Sequence, residues 1–171
     1  GKGLMKIDDC IKLEDLRALA KKRIPKIVYD FVEGGVDDEE GLTTNRNAFA
    51  RRALAPRYMV DISKIDQSTT LFGHTYSSCY GIGPTGGIGN FRRGGDLMLA
   101  AAARDANIPF VMSGAATARM EDLAETAPDH GWYQLYTAKD RAISEDQIKR
   151  AADLGIPALM ITVDVPAAPN R

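Results

Sequence analysis

Gln134 and Tyr136 stand two residues apart in the apolar run Trp132-Tyr133-Gln134-Leu135-Tyr136. On a strand, that spacing puts an amide and a phenol on one face. Buried side by side, they are costly unless something hydrogen-bonds to them. A heteroaromatic ligand with alternating donors and acceptors would satisfy the amide; so would a buried network with water. Thr162 and Asp164 repeat the spacing in Thr162-Val163-Asp164-Val165, and the same two readings apply. Asp164 is a poor lone metal ligand, because no His or Glu lies near it in sequence, and no metal site is expected. Thr85 and Ser113 follow two further apolar runs.

The stretch Gly81-Ile82-Gly83-Pro84-Thr85-Gly86-Gly87-Ile88-Gly89 matches G-x-G-x-x-G formally. A dinucleotide fingerprint must open directly into a helix, yet Pro84 sits inside the turn and helical periodicity starts only near Asp96. No Gly-Lys-Ser/Thr follows, so a Walker A loop is absent. Two readings stay open: a bare backbone surface passing beneath a flat ligand, and a plain loop. His74 and His130 lie in polar turns and lack motif support as base or ligand. Cys79 is expected to be a small buried hydrophobe. The run Asp37-Asp38-Glu39-Glu40 lacks the alternating ligands of a calcium loop and suits the first turn of a helix. Ser113 is not in G-x-S-x-G, so a serine nucleophile elbow is not indicated.

These side chains need elements to hold them. Residues 11–33 carry Leu13, Leu16, Leu19 and Ala20 at helical spacing, with a break expected at Pro25 and an end at Gly34-Gly35 in a left-handed cap. Residues 50–78 read as an irregular wrap. From residue 79 the pattern becomes regular. Strands are expected at 80–83, 108–112, 132–136 and 158–165, with helices at 97–106, 117–126 and from Ser144 to Gly155. Ser144 and Gln147 form a capping-box pair, and Thr117 heads an imperfect one. The repeat is about 25 residues, as parallel β/α units require. The strands are apolar on both faces, as in a sheet covered by helices. A doubly wound sheet and a (β/α)8 barrel both fit. The polar residues help choose: Thr85, Ser113, Gln134, Tyr136, Thr162 and Asp164 all fall at or past strand C-termini, the rim where a barrel gathers its site.

The chain has 171 residues, with 22 Lys+Arg against 23 Asp+Glu and 44 % hydrophobic residues. Those values fit a soluble globular protein and give no concentrated basic field for nucleic acid. No apolar run is long enough for a transmembrane helix. No signal-peptide pattern opens the sequence, so a cytoplasmic location is expected. The last residues follow a strand where a connection should begin, so a part of a longer polypeptide is expected. The expected division is a helical segment and wrap at 1–78 and the first half of a barrel at 79–171.

Five segments carry a resemblance: 25–35 (Pro25 to Gly35), Asn45-Arg46-Asn47-Ala48-Phe49, Pro84-Thr85-Gly86, Trp132-Tyr133-Gln134-Leu135-Tyr136 and Thr162-Val163-Asp164-Val165-Pro166. In order and spacing they resemble the FMN-dependent 2-hydroxy acid dehydrogenase/oxidase family, which includes L-lactate dehydrogenases, glycolate oxidases and mandelate dehydrogenases. The resemblance implies an α/β fold, the N-terminal part of a (β/α)8 TIM barrel with about four β/α units, preceded by a helical segment. It implies FMN as cofactor. Pro84, Thr85 and Gly86 would line the flavin, and Ser113, Gln134 and Thr162 would hydrogen-bond it. Tyr136 would touch flavin and substrate as the catalytic candidate in this part. Arg171 would help hold the substrate carboxylate, and Asp164 would orient polar neighbours.

Phe31 stands where many members have a substrate-binding tyrosine, which shifts the expectation away from the smallest acids. Gly86 in place of alanine resembles dehydrogenase members. Cys79 and Arg93 stand where proline is common, and 87–90 is unusually glycine-rich. The resemblance also implies that the base histidine, its arginine neighbour and the phosphate-binding loops follow the fourth strand. The implied reaction takes the proton from the 2-hydroxyl and a hydride equivalent from Cα, giving the 2-oxo acid and reduced FMN. The acceptor would be a quinone or another carrier, which would place the protein at the periphery of a membrane. Two alternatives stand beside it: an oxidase forming hydrogen peroxide from oxygen, and a non-catalytic half-barrel serving as scaffold or partner-binding module. Expected partners are the C-terminal half of the barrel and further copies in a homo-tetramer.

Overall fold

The computed structural model describes residues 6–164. Its residues cluster into two compact units, the first ending at Met59 and the second starting at Val60. Residues 60–78, read from sequence as the end of the wrap, thus cluster with the sheet-bearing unit.

In the first unit, helix α1 (Leu13–Arg23) and helix α2 (Lys26–Glu33) flank Pro25, where the break was expected. Pro25 is the N-cap of α2, a place where its missing N–H costs nothing. Gly34 ends α2 with φ −77 and ψ 152, so it is extended rather than left-handed. Helix α3 (Glu40–Ala50) starts later than the acidic run suggested. Asp37 and Glu39 have positive φ and form the turn before it, and Glu39 Oε1 accepts the Gly35 N–H at 3.1 Å.

The second unit opens with a feature the sequence reading missed, an antiparallel hairpin of β1 (Thr69–Leu71) and β2 (His74–Tyr76). Its two-residue turn has positive φ at Phe72 (51°) and Gly73 (83°), the combination that suits strand twist in tight hairpins. Then follow α4 (Ile88–Phe91), α5 (Gly95–Asp105), β3 (Phe110–Met112), α6 (Met120–Thr126), β4 (Gly131–Leu135), α7 (Arg141–Asp153) and β5 (Leu159–Ile161). Of the strand expected at 80–83, Ile82 alone pairs, in a parallel bridge to Phe110.

Spatial order follows chain order: Ile82, β3, β4, β5, all parallel. One face of the sheet presents Phe110, Met112, Tyr133 and Leu135 to Ala100 and Ala103 of α5, Met120 and Leu123 of α6 and Ala151 of α7. The opposite face holds Val111 and Trp132 with Tyr76 of the hairpin. Helices on one face only, and strands in sequential order, make a singly wound sheet; a doubly wound one reverses its order and covers both faces. The arrangement matches part of a barrel, and among the described residues no barrel closes. Each fully buried Leu or Phe contributes about 1.5–3 kcal/mol, so the helix-side cluster is the main source of cohesion.

Two helix starts differ from expectation. Helix α7 is capped by Asp140, whose side chain accepts the Ala142 N–H at 3.0 Å. Ser144 lies inside that helix, and its hydroxyl instead accepts the Ala138 N–H at 2.9 Å. Thr117 does not cap α6; Arg119 stands at that position, and Thr117 is bound to Asp96. The C-terminal end of α7 is as read, with Gly155 at φ 70.

Candidate flavin site

Ser113, Gln134 and Thr162 lie at or just past the C-terminal ends of β3, β4 and β5. Alternation along the strands carries them to the sheet face opposite the helices. Met112 and Tyr133 pack on the helices, so Ser113 and Gln134 point the other way. Gln134 is the hub of the three. Its Oε1 accepts the Gly114 N–H at 3.4 Å, and its Nε2 donates to Thr162 Oγ1 at 2.6 Å. Ser113 Oγ accepts the Ala115 N–H at 3.1 Å.

These bonds leave a definite set of valences. The hydroxyl hydrogens of Ser113 and Thr162 remain to donate, because both oxygens act as acceptors here. Gln134 keeps one N–H and one lone pair. Ser113 and Gln134 are nevertheless buried. Groups of this kind need further partners from whatever covers them. Donors and acceptors side by side fit the edge of a heteroaromatic ring such as a flavin. The residues present therefore suit FMN.

The loop with Pro84, Thr85 and Gly86 lies against the segment that carries Ser113. Gly87 N–H donates to the Ala115 carbonyl at 3.0 Å. A Cβ built on Gly86 would stand 3.7 Å from Ser113 Oγ, so the two segments are neighbours. The formal G-x-G-x-x-G match does not place a helix N-terminus, since α4 is four residues long and the chain turns again at Gly94 before α5. Tyr136 follows β4 directly and is 49 % exposed, with its ring edge beside Gly114. Asp164 is exposed, two residues past Thr162. Phe31 is exposed on α2 of the first unit. Arg171 lies outside the described residues.

Both histidines serve the hairpin. His74 Nε2 and His130 Nε2 lie 3.1 and 2.9 Å from Asn107 Oδ1. Asn107 in turn donates to Thr75 O and Ser77 Oγ at 3.2 and 3.0 Å. His130 immediately precedes β4, whereas Gln134 is near its far end; at ~3.3 Å per residue the two are about 13 Å apart along the strand. Neither histidine reaches the polar rim. Tyr76 closes the same end, accepting from Trp132 Nε1 at 3.1 Å and donating to the Asp129 carbonyl at 3.0 Å. Cys79 is exposed, against the expectation of burial. Among the described residues no group of three or more His, Cys, Asp or Glu could hold a metal, and no helix is long and apolar enough to cross a membrane.

Peroxisomal (S)-2-hydroxy-acid oxidase GLO4 of Oryza sativa subsp. indica is 39 % identical over 161 residues, covering 94 % of this chain and 44 % of its own length. (S)-mandelate dehydrogenase of Pseudomonas putida is 40 % identical over 153 residues, covering 90 % of this chain and 39 % of its own. A crystal structure of a soluble mutant of the membrane-associated (S)-mandelate dehydrogenase from Pseudomonas putida superposes with a TM-score of 0.86, 40 % identity and coverage of 93 % and 45 %. Mandelate oxidase with (S)-4-hydroxymandelic acid superposes at 0.88, with 31 % identity and coverage of 95 % and 45 %. The chain thus spans less than half the length of these relatives. Residues 20–171 match the family described as FMN-dependent dehydrogenase, and the chain belongs to that family.

Proposed function

We propose that this chain is the N-terminal part of an FMN-dependent enzyme that oxidises an L-2-hydroxy acid to the 2-oxo acid. In that reading residues 79–171 form about four β/α units, the first half of a (β/α)8 barrel. The observation that carries the proposal is the Ser113–Gln134–Thr162 rim, whose hydrogen bonds leave the two hydroxyl hydrogens and one Gln134 N–H to donate. FMN, when bound, supplies the acceptor for the two electrons leaving the substrate. Ser113, Gln134 and Thr162 hold the ring edge, and Pro84, Thr85 and Gly86 line its face. The Tyr136 phenol orients the substrate beside the ring, together with Arg171. Phe31, where many members of the family have a substrate-binding tyrosine, brings no hydroxyl, which favours a substrate larger than the smallest hydroxy acids. Asp164 steadies the rim's polar groups. The proton acceptor comes from elsewhere in the full protein, since His74 and His130 are committed to Asn107.

For the acceptor we favour a quinone or another carrier over oxygen, on the strength of Gly86. The experiment is anaerobic mixing of the full-length flavoprotein with (S)-mandelate, L-lactate and glycolate, followed by air. Bleaching of the flavin band by a 2-hydroxy acid is expected, fastest with the larger acids. Little peroxide on reoxidation would support a dehydrogenase; stoichiometric peroxide would make the enzyme an oxidase. A flavin that no 2-hydroxy acid reduces would overturn the proposal.

A further inference from the structure

Asp96 is the second residue of α5 and is 1 % exposed. Its Oδ2 accepts from Thr117 Oγ1 at 2.9 Å and from the Thr117 N–H at 3.4 Å. Its Oδ1 is buried with no hydrogen-bond partner among the described residues. Burying a carboxylate is costly, and the positive end of α5 offsets part of that cost only. An apolar side chain would fill the same space at lower cost, so packing alone does not explain an aspartate here.

What the carboxylate does is hold Thr117, an exposed residue on the segment between β3 and α6. That segment starts with Ser113. It is joined to the 84–89 loop at two points. The Gly87 N–H donates to Ala115 O at 3.0 Å. Gly89 lies so close to Thr117 that an added Cβ would stand 2.8 Å from both Thr117 Cβ and Cγ2. From its near end the segment reaches Gln134 through the Gly114 N–H, and Gln134 reaches Thr162. A continuous path therefore runs from the buried Asp96 carboxylate to Ser113, Gln134 and Thr162.

We propose that Asp96 is a positioning residue for FMN: by anchoring Thr117 it fixes the paired loops 84–89 and 113–117 against which the ring rests. The inference rests on the proposed flavin site. The carboxylate touches neither cofactor nor substrate. It sets the order of the backbone that does.

The test uses the full-length flavoprotein with Asp96→Ala, Thr117→Val, Thr117→Ser and the Asp96→Ala/Thr117→Val pair. Asp96→Ala and Thr117→Val are each expected to raise the Kd for FMN about tenfold, the loss of one buried hydrogen-bonded anchor. Both should change the visible circular dichroism of the bound flavin. Thr117→Ser, which keeps the hydroxyl, should restore both readouts. The double variant should be no worse than either single one, since the two groups form one contact. Hydrogen exchange at the Gly87 amide should be faster in Thr117→Val than in the parent, with or without flavin. Unchanged Kd and dichroism in Thr117→Val would overturn the proposal, even if Asp96→Ala fails to fold. Should the parent protein bind no FMN, the proposed function fails by itself. The loop clamp is then judged on Gly87 exchange, and an unchanged rate would remove it too.

Discussion

Gln134 is the residue on which the rim depends, because it bonds to the segment after β3 and to Thr162 after β5 at once. Replacing it by leucine of similar size leaves the Gly114 N–H and the Thr162 hydroxyl without their partner. Each such orphan costs about 1–3 kcal/mol. Gln134→Leu should therefore weaken FMN binding by roughly ten- to a hundredfold in a flavin titration; unchanged affinity would mean the amide does not hold the ring. Tyr136 should behave differently, because it is exposed and sits past the strand. Tyr136→Phe should leave FMN affinity within about twofold and slow flavin reduction by substrate about tenfold or more in stopped-flow absorbance, as expected when a group orienting the reacting molecule is lost. A variant that loses flavin but reduces normally when saturated would reverse these roles.

Among the elements, β4 and the segment after β3 approach each other closely. A Cβ on Gly114 would stand 2.8 Å from the Gln134 carbonyl oxygen and 3.1 Å from Tyr136 Cδ2. Since the first of these is backbone, Gly114→Ala should destabilise the protein by about 1–3 kcal/mol, read as a lower Tm. A wild-type Tm would show that the segment can shift freely. Behind the sheet, α6 and α7 are linked by Arg150 Nη2 and Glu121 Oε1 at 2.6 Å. The hydrogen bond from Arg150 holds the Glu121 carboxyl below its ordinary value. A lowered carboxyl contributes stability that is complete above the unfolded value and is lost as pH falls through the lowered one. NMR titration of Glu121 should give a midpoint below the ordinary glutamate range. Arg150→Gln should move it back up; no movement would mean that the pair does not form in solution.

At the scale of the whole molecule, the helix-side face of the second unit carries the larger buried cluster. Among the described residues strand β5 has one paired edge, and Leu159, Met160 and Ile161 are 36 %, 40 % and 54 % exposed. An apolar strand with a free edge is a template for association. A polypeptide limited to residues 1–171 should bind a hydrophobic dye and show concentration-dependent size on gel filtration. In the full-length protein the amides and side chains of β5 should be protected. A compact monomer of residues 1–171 that binds no dye would mean that the open face needs no further β/α units, and would favour the scaffold reading over the enzyme.

What the sequence determined by itself was local or periodic. Pro25 placed the break between α1 and α2 because proline acts on its own turn. The apolar runs placed β3, β4 and β5 in their order. Family motifs pointed to Ser113, Gln134 and Thr162 together. Tertiary structure decided what depends on distant partners. Thr117 reads as a helix cap until Asp96, twenty-one residues earlier in the chain, captures its hydroxyl. Ser144 reads as a cap until Asp140 takes that place and the Ala138 N–H takes the hydroxyl. The hairpin was hidden because its turn begins with Phe72, a residue that seldom takes positive φ; packing on Trp132, with ring centroids 5.3 Å apart, holds it there. Cys79, expected to be buried, is exposed for the same reason. Local sequence carries no record of which polar partner, from which element, folding will bring alongside.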